Sequence, residues 1–139
     1  SHFFYGMVLV NRGHLKQGLE ILEESCRSWK QNDKRLRYAA CGTMLAKVYA
    51  DLAVKAGDRQ LTKFALSARE KANTYFQSAI GTAEQICAHA TLGQAYLDWS
   101  RLWEEQGDSK KAAECLEKAA HYFQVRGSEE FSRGSLIKS

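Results

Sequence analysis

The chain has 139 residues, 45% of them apolar and 26% charged, enough to bury one core, too few for two independent ones, and too apolar for a disordered chain. Twenty basic and sixteen acidic residues, interspersed, leave a net charge of +4, an excess too small and scattered to argue for nucleic acid. No run of about 18 apolar residues occurs, which argues against a membrane span, and proline, which costs about 3 kcal/mol inside a helix, is missing, which favours an all-α chain.

Ser1-His2-Phe3-Phe4-Tyr5 has neither the basic start nor the apolar run of a signal peptide, and no initiator methionine, so the chain reads as a piece of something longer. Cys26, Cys41, Cys87 and Cys115 are far apart among apolar neighbours. That spacing suits buried free thiols in a reducing, cytoplasmic setting better than a disulfide framework or a zinc site.

In chain order, Phe3 to Val10 is almost wholly apolar and Asn11-Arg12-Gly13 closes it, predicting a short first helix. Leu15, Leu19, Leu22, Cys26 and Trp29 recur at three and four and mark one face of a second. Gly18 within it costs up to about 1 kcal/mol unless a neighbouring helix needs a close approach, which is the preferred reading.

Asn32-Asp33 is a turn and N-cap signal, opening a third helix to about Ala56 with Leu36, Leu45, Val48, Tyr49 and Leu52 on helical spacing. Gly57-Asp58 is expected to end it and cap a fourth, whose stripe is Leu61, Phe64, Ala65, Ala68, Ala72, Tyr75, Phe76 and Ala79. Gly81-Thr82 is expected to make the next break, since Thr82 and Gln85 have capping-box spacing.

A fifth helix, 83–106, then carries Ile86, Ala90, Leu92, Gly93, Tyr96, Trp99 and Trp103. Gly107-Asp108 separates it from a sixth, about 109–125, which turns Ala112, Ala113, Leu116, Ala119, Ala120 and Phe123 inward. Gly127-Ser128-Glu129-Glu130 reads as the cap of one more short helix, with a frayed tail from Gly134.

The chain repeats itself. Leu45-Ala46-Lys47-Val48-Tyr49-Ala50-Asp51 aligns with Leu92-Gly93-Gln94-Ala95-Tyr96-Leu97-Asp98, each followed by Gly-Asp, and Tyr5-Gly6-Met7-Val8-Leu9-Val10-Asn11 fits the same template. With Gly18, Leu22 and Ser25 in one second helix and Ala112, Leu116 and Ala119 in another, this pattern resembles the tetratricopeptide repeat (TPR). The second and third units have lengthened first helices and none has the family's terminal proline. Such elongated units are similar to the C-terminal helical-repeat regions of large bacterial signalling proteins that join a nucleotide cyclase or kinase to an AAA-type ATPase module.

The resemblance implies an all-α, antiparallel helix-hairpin solenoid of six to seven helices. Its hairpins would span 1–32, 33–81 and 82–127, making a repeat domain over 1–127, with 128–139 a partial capping helix and tail. Phe131, Leu136 and Ile137 look few to cap the last apolar face, so self-association is also in view.

Nothing in the residues argues for chemistry within the chain. Cys87 and His89 are two apart and diverge on a helix, so no metal site is expected. The serines lack a strained elbow, no glycine-rich phosphate loop occurs, and Glu23-Glu24, Glu104-Glu105 and Glu129-Glu130 read as solvated faces. No cofactor and no enzyme activity is expected. Trp99 and Trp103, four apart, either fill the inter-repeat core or stand exposed as a platform, the core being favoured.

In such solenoids the first helices line the concave side. Carried over from the family, the groove positions are Met7, Val10 and Asn11 in the first unit, Thr43, Lys47, Ala50 and Asp51 in the second, and Ala90, Gln94, Leu97 and Asp98 in the third. Asn11, Asp51 and Asp98 form a polar column suited to a peptide backbone, or else a wetted helix face. Met7 and Thr43 stand where some of the lysine, asparagine and arginine residues of the family's carboxylate clamp would be, so that clamp is not expected.

The resemblance therefore implies a non-catalytic module that binds a protein segment, or another domain of its parent, in its groove. The alternative is a cis-regulatory or oligomerising domain of a larger signalling enzyme such as a nucleotide cyclase. A basic turn at Lys30, Lys34, Arg35 and Arg37 is too local to make nucleic acid the expected partner.

Overall fold

The computed structural model describes residues 2–138, with side chains as far as residue 125. Six α-helices follow one another: α1 (His2–Asn11), α2 (Leu15–Gln31), α3 (Arg35–Asp58), α4 (Thr62–Gln85), α5 (His89–Glu105) and α6 (Ser109–Lys138). No strand occurs among the described residues, and none of their helices is long and apolar enough to cross a membrane.

One local geometry makes every junction. Each places a single residue in the left-handed region: Gly13 (φ +90°), Asp33 (+55°), Gln60 (+60°), Cys87 (+52°) and Gly107 (+81°). The next N–H then returns to a carbonyl five residues back: His14 to Leu9 at 2.9 Å, Lys34 to Trp29 at 2.8 Å, Leu61 to Ala56 at 2.8 Å, Ala88 to Ala83 at 2.9 Å and Asp108 to Trp103 at 3.0 Å. This Schellman closure satisfies carbonyls that the helix end leaves orphaned and reverses the chain at once.

Three expected breaks are corrected by this rule. Gly57-Asp58 and Gly81-Thr82 lie inside α3 and α4, and the left-handed position falls to Gln60 and Cys87 instead. Burial decides it: Ile80 and Ala83 are in the core, so α4 must run past Gly81 to deliver them. The fifth helix consequently starts at His89 rather than near Ala83, and Thr82 caps nothing. Gly127 does not open a further helix either, because α6 continues to Lys138. The side chains of Phe131, Leu136 and Ile137 lie outside the described residues.

The helices pack as neighbouring pairs, α1 with α2, α3 with α4 and α5 with α6. Contacts of α2 with α3, and of α3 and α4 with α5, join the pairs. Small residues set the spacing within each pair. A Cβ on Gly18 would stand 2.6 Å from Val10 Cγ2 and 2.9 Å from the Gly6 carbonyl oxygen, so the close approach expected at Gly18 is present. In the second pair alanines serve, with Ala39, Ala46, Ala72, Ala79 and Ala83 all buried.

One core cluster joins the first two pairs through Phe3, Leu22, Leu45, Tyr49 and Phe76, and reaches Leu102. A second joins Ala39 and Ile80 to Leu92, Tyr96, Cys115 and Ala119. Trp99 packs against both.

Several residues of the expected stripes face outward. Leu61 occupies a junction rather than a helix, and Leu36, Phe64 and Leu116 are exposed, because the alanine rows beside them make the inter-helix contacts. Ala113 and Ala120 are likewise exposed while Ala112 and Ala119 are buried.

Candidate functional site

The first helices of the three pairs share a groove of about 740 Å³. From α1 it takes Met7, Val10 and Asn11, from α3 Thr43, Lys47 and Asp51, and from α5 Ala90, Gln94 and Asp98, so nine of the eleven residues expected at a groove are brought together. Ala50 and Leu97 are not among its lining. Each sits one residue before Asp51 or Asp98 and so points about 100° away on its helix. Ala50 is packed in the first core cluster and Leu97 against the second.

Alignment of the repeats did not reach Met44, Lys55 and Phe123, which also line the groove. Phe123 arrives from α6 because α5 has no side chain at Gly93: a Cβ there would lie 2.8 Å from the ring. The only sequence signal for this was a glycine in mid-helix, which reports a close neighbour without naming it.

Polarity is uneven along the groove. Thr43 is buried and its hydroxyl is used internally, donating to the Ala39 carbonyl at 2.8 Å. Lys47, Asp51 and Lys55 follow at intervals of four on α3, all exposed, giving alternating charge along one face.

Opposite them is Asp98, whose side chain is only 5% exposed. Gln94 Nε2 donates to its Oδ1 at 3.0 Å, and Arg101 Nη1, on a largely exposed side chain, reaches the same oxygen at 3.7 Å. Burial raises the carboxyl pKa, with Asp51 adding to the rise and the Gln94 hydrogen bond, Lys47 and Arg101 opposing it, for a net upward shift. The groove thus holds an incompletely compensated carboxylate. A notch of about 330 Å³ bounded by Ala50, Arg101 and Glu105 continues from it past Lys47, Asp51 and Asp98.

A hollow of about 490 Å³ elsewhere is lined by α2 and α4 side chains together with Tyr38. Beside it the Tyr49 hydroxyl donates to Glu23 Oε1, Lys71 Nζ lies 3.6 Å from that oxygen, and Tyr75 stacks on Tyr49 with centroids 6.0 Å apart. Burial, then the Glu23 hydrogen bond, pushes the Tyr49 hydroxyl far up. Burial, then the Cys41 and Glu23 charges, pushes the Cys26 thiol up to about 12. These groups hold their protons at neutral pH and serve as interior hydrogen-bonding and packing groups. Glu23 and Tyr49 are 26 apart in sequence, and no local pattern announced their pairing.

Trp99 is a wedge between pairs: its indole N–H donates to Asn73 Oδ1 on α4 at 2.9 Å, and its ring lies 5.8 Å from those of Phe76 and Trp103. Trp103 is half-buried under Lys111, whose Nζ stands 4.4 Å from the ring centroid. Of the cysteines, all free, Cys26 and Cys115 are buried and Cys41 is half-buried. Cys87 is exposed, contrary to expectation, because its left-handed turn projects it from the surface. Among the described residues, no group of three His, Cys, Asp or Glu side chains could hold a metal ion.

Fold and groove together define an all-α protein of packed helix hairpins. Compared with known proteins, the chain matches no protein-family model, no curated protein and no solved structure.

Proposed function

We propose that this chain is a non-catalytic interaction module of tetratricopeptide-repeat type that takes an extended protein segment into the groove between α1, α3 and α5. The observation that carries the reading is the groove itself: equivalent positions of three first helices converge on one continuous surface. That surface offers apolar area at Met7, Val10, Met44 and Phe123 for affinity and charged groups at Lys47, Asp51 and Asp98 for specificity.

The charged positions of α3 favour an extended occupant, because an extended chain is thin and presents alternate side chains to each wall.

The test is selection of a phage-displayed random 12-residue library on the chain, with Met44→Trp/Thr91→Trp as a blocked control whose helicity is verified by circular dichroism. Peptides that bind the chain and lose at least tenfold in affinity on the blocked control support the reading. Peptides that ignore the block, or none at all, overturn it.

A further inference from the structure

The groove also carries a charge code, and reading it rests on the groove being the binding surface. Lys47, Asp51 and Lys55 stand four apart on α3 and all line the groove, so their charges alternate plus, minus, plus. Residues four apart on a helix rise by about 6 Å. Alternate residues of an extended chain rise by about 6.6 Å, so an extended segment laid along α3 presents one same-facing side chain to each of the three.

The middle position has a second wall. Asp98 of α5 lines the same groove and lies within electrostatic reach of both Lys47 and Asp51. Among the described residues both of its polar contacts, Gln94 and Arg101, fall on Oδ1, and Oδ2 has no hydrogen-bond donor. A carboxylate on a side chain this buried, with one oxygen still open, gains a charge-assisted hydrogen bond from a cationic donor.

We infer that the occupant is an extended segment carrying an acidic, a basic and an acidic residue at alternate positions, its lysine or arginine entering between Asp51 and Asp98 and its acids meeting Lys47 and Lys55. Asp98 is then the specificity-determining residue and Lys47 and Lys55 set the register. Apolar residues of the segment on the Met44 side cover Met7, Val10 and Phe123.

The experiment uses the peptides selected above and two synthetic probes, one with a Glu-Ala-Arg-Ala-Glu core and one with the inverted Arg-Ala-Glu-Ala-Arg core, titrated by fluorescence anisotropy. The expected result is enrichment of the acidic-basic-acidic pattern among block-sensitive peptides and at least tenfold tighter binding of the first probe than the second. Asp98→Asn should abolish most of that preference, and Lys47→Glu/Lys55→Glu should reverse it, both variants keeping their helical circular dichroism. Block-sensitive peptides without the pattern, or a probe preference that survives Asp98→Asn, overturn the code while leaving the groove reading in place. Absence of any block-sensitive peptide removes both.

Discussion

Gly93 on α5 and Phe123 on α6 meet so closely that a Cβ on the glycine would stand 2.8 Å from the phenylalanine ring. The missing side chain leaves room for an aromatic ring that forms part of the groove wall. Gly93→Ala is therefore expected to cost about 1–3 kcal/mol through overpacking and to weaken binding of block-sensitive peptides. Gly42→Ala, whose new methyl would meet only Ala79 Cβ at 3.4 Å, is expected to be neutral or stabilising by up to about 1 kcal/mol. Urea denaturation of the pair checks the contrast, and equal effects would contradict the packing described.

The junctions give a second set of expectations. Gly57→Ala and Gly81→Ala fall inside helices with open space around the new methyl, so each should raise stability by about 0.5–1 kcal/mol. Gly107→Ala, at φ +81°, should lower it by about 1 kcal/mol, and Gln60→Gly should raise it by up to about 1 kcal/mol. Loss of stability at Gly57 or Gly81 would mean that the helices break there after all.

Those two glycines also mark where the sequence was hard to read. Repeat spacing and small residues made the hairpins legible, because a close helix crossing needs alanine or glycine whatever surrounds it. Helix ends were less legible. Gly-Asp is a strong stop signal, yet core burial of Ile80 and Ala83 carries α4 through Gly81, and an ordinary Gln60 or Cys87 accepts the left-handed turn. Most of the groove positions came from the resemblance to a repeat family, which places them on the first helices. The burial of Asp98 and the arrival of Phe123 were not, since both depend on which neighbouring helix closes over them.

Asp98 should make stability depend on pH in a defined direction. Its folded pKa lies above the ordinary value of 3.8, so the native state holds the proton over a window in which the unfolded chain has lost it. Below that window there is no penalty. As pH rises through the folded pKa the cost of the buried charge appears, and wild-type stability falls relative to Asp98→Asn. The variant should gain on wild type as pH rises from the ordinary aspartate range upward. A difference that does not change with pH would contradict the burial of an ionising carboxyl.

Thiol reactivity should follow exposure. Cys87 is exposed, whereas Cys26 and Cys115 are buried, and the Cys26 thiol, pushed up to about 12 by burial first, offers almost no thiolate at neutral pH. A thiol-disulfide reagent on the native chain should label Cys87 first and Cys26 only on unfolding, as peptide mapping would record. Early labelling of Cys26 would mean that the first two hairpins are not packed as described.

Trp99 ties the second hairpin to the third through Asn73 and Phe76. Trp99→Ala should cost about 3–5 kcal/mol. It should also expose amides of α5 and α6 to hydrogen exchange well before those of α1 and α2, an asymmetry that uniform loss of protection would contradict.

The most direct test of the binding surface is a two-dimensional NMR titration of the isotopically labelled chain with the tightest block-sensitive peptide. Amide shifts concentrated at Met7, Thr43, Met44, Lys47, Gln94 and Asp98, across three helices that share one groove, are the expected result. Shifts concentrated instead at Phe64, Leu66 and Glu70 on the outward side of α4 would contradict it.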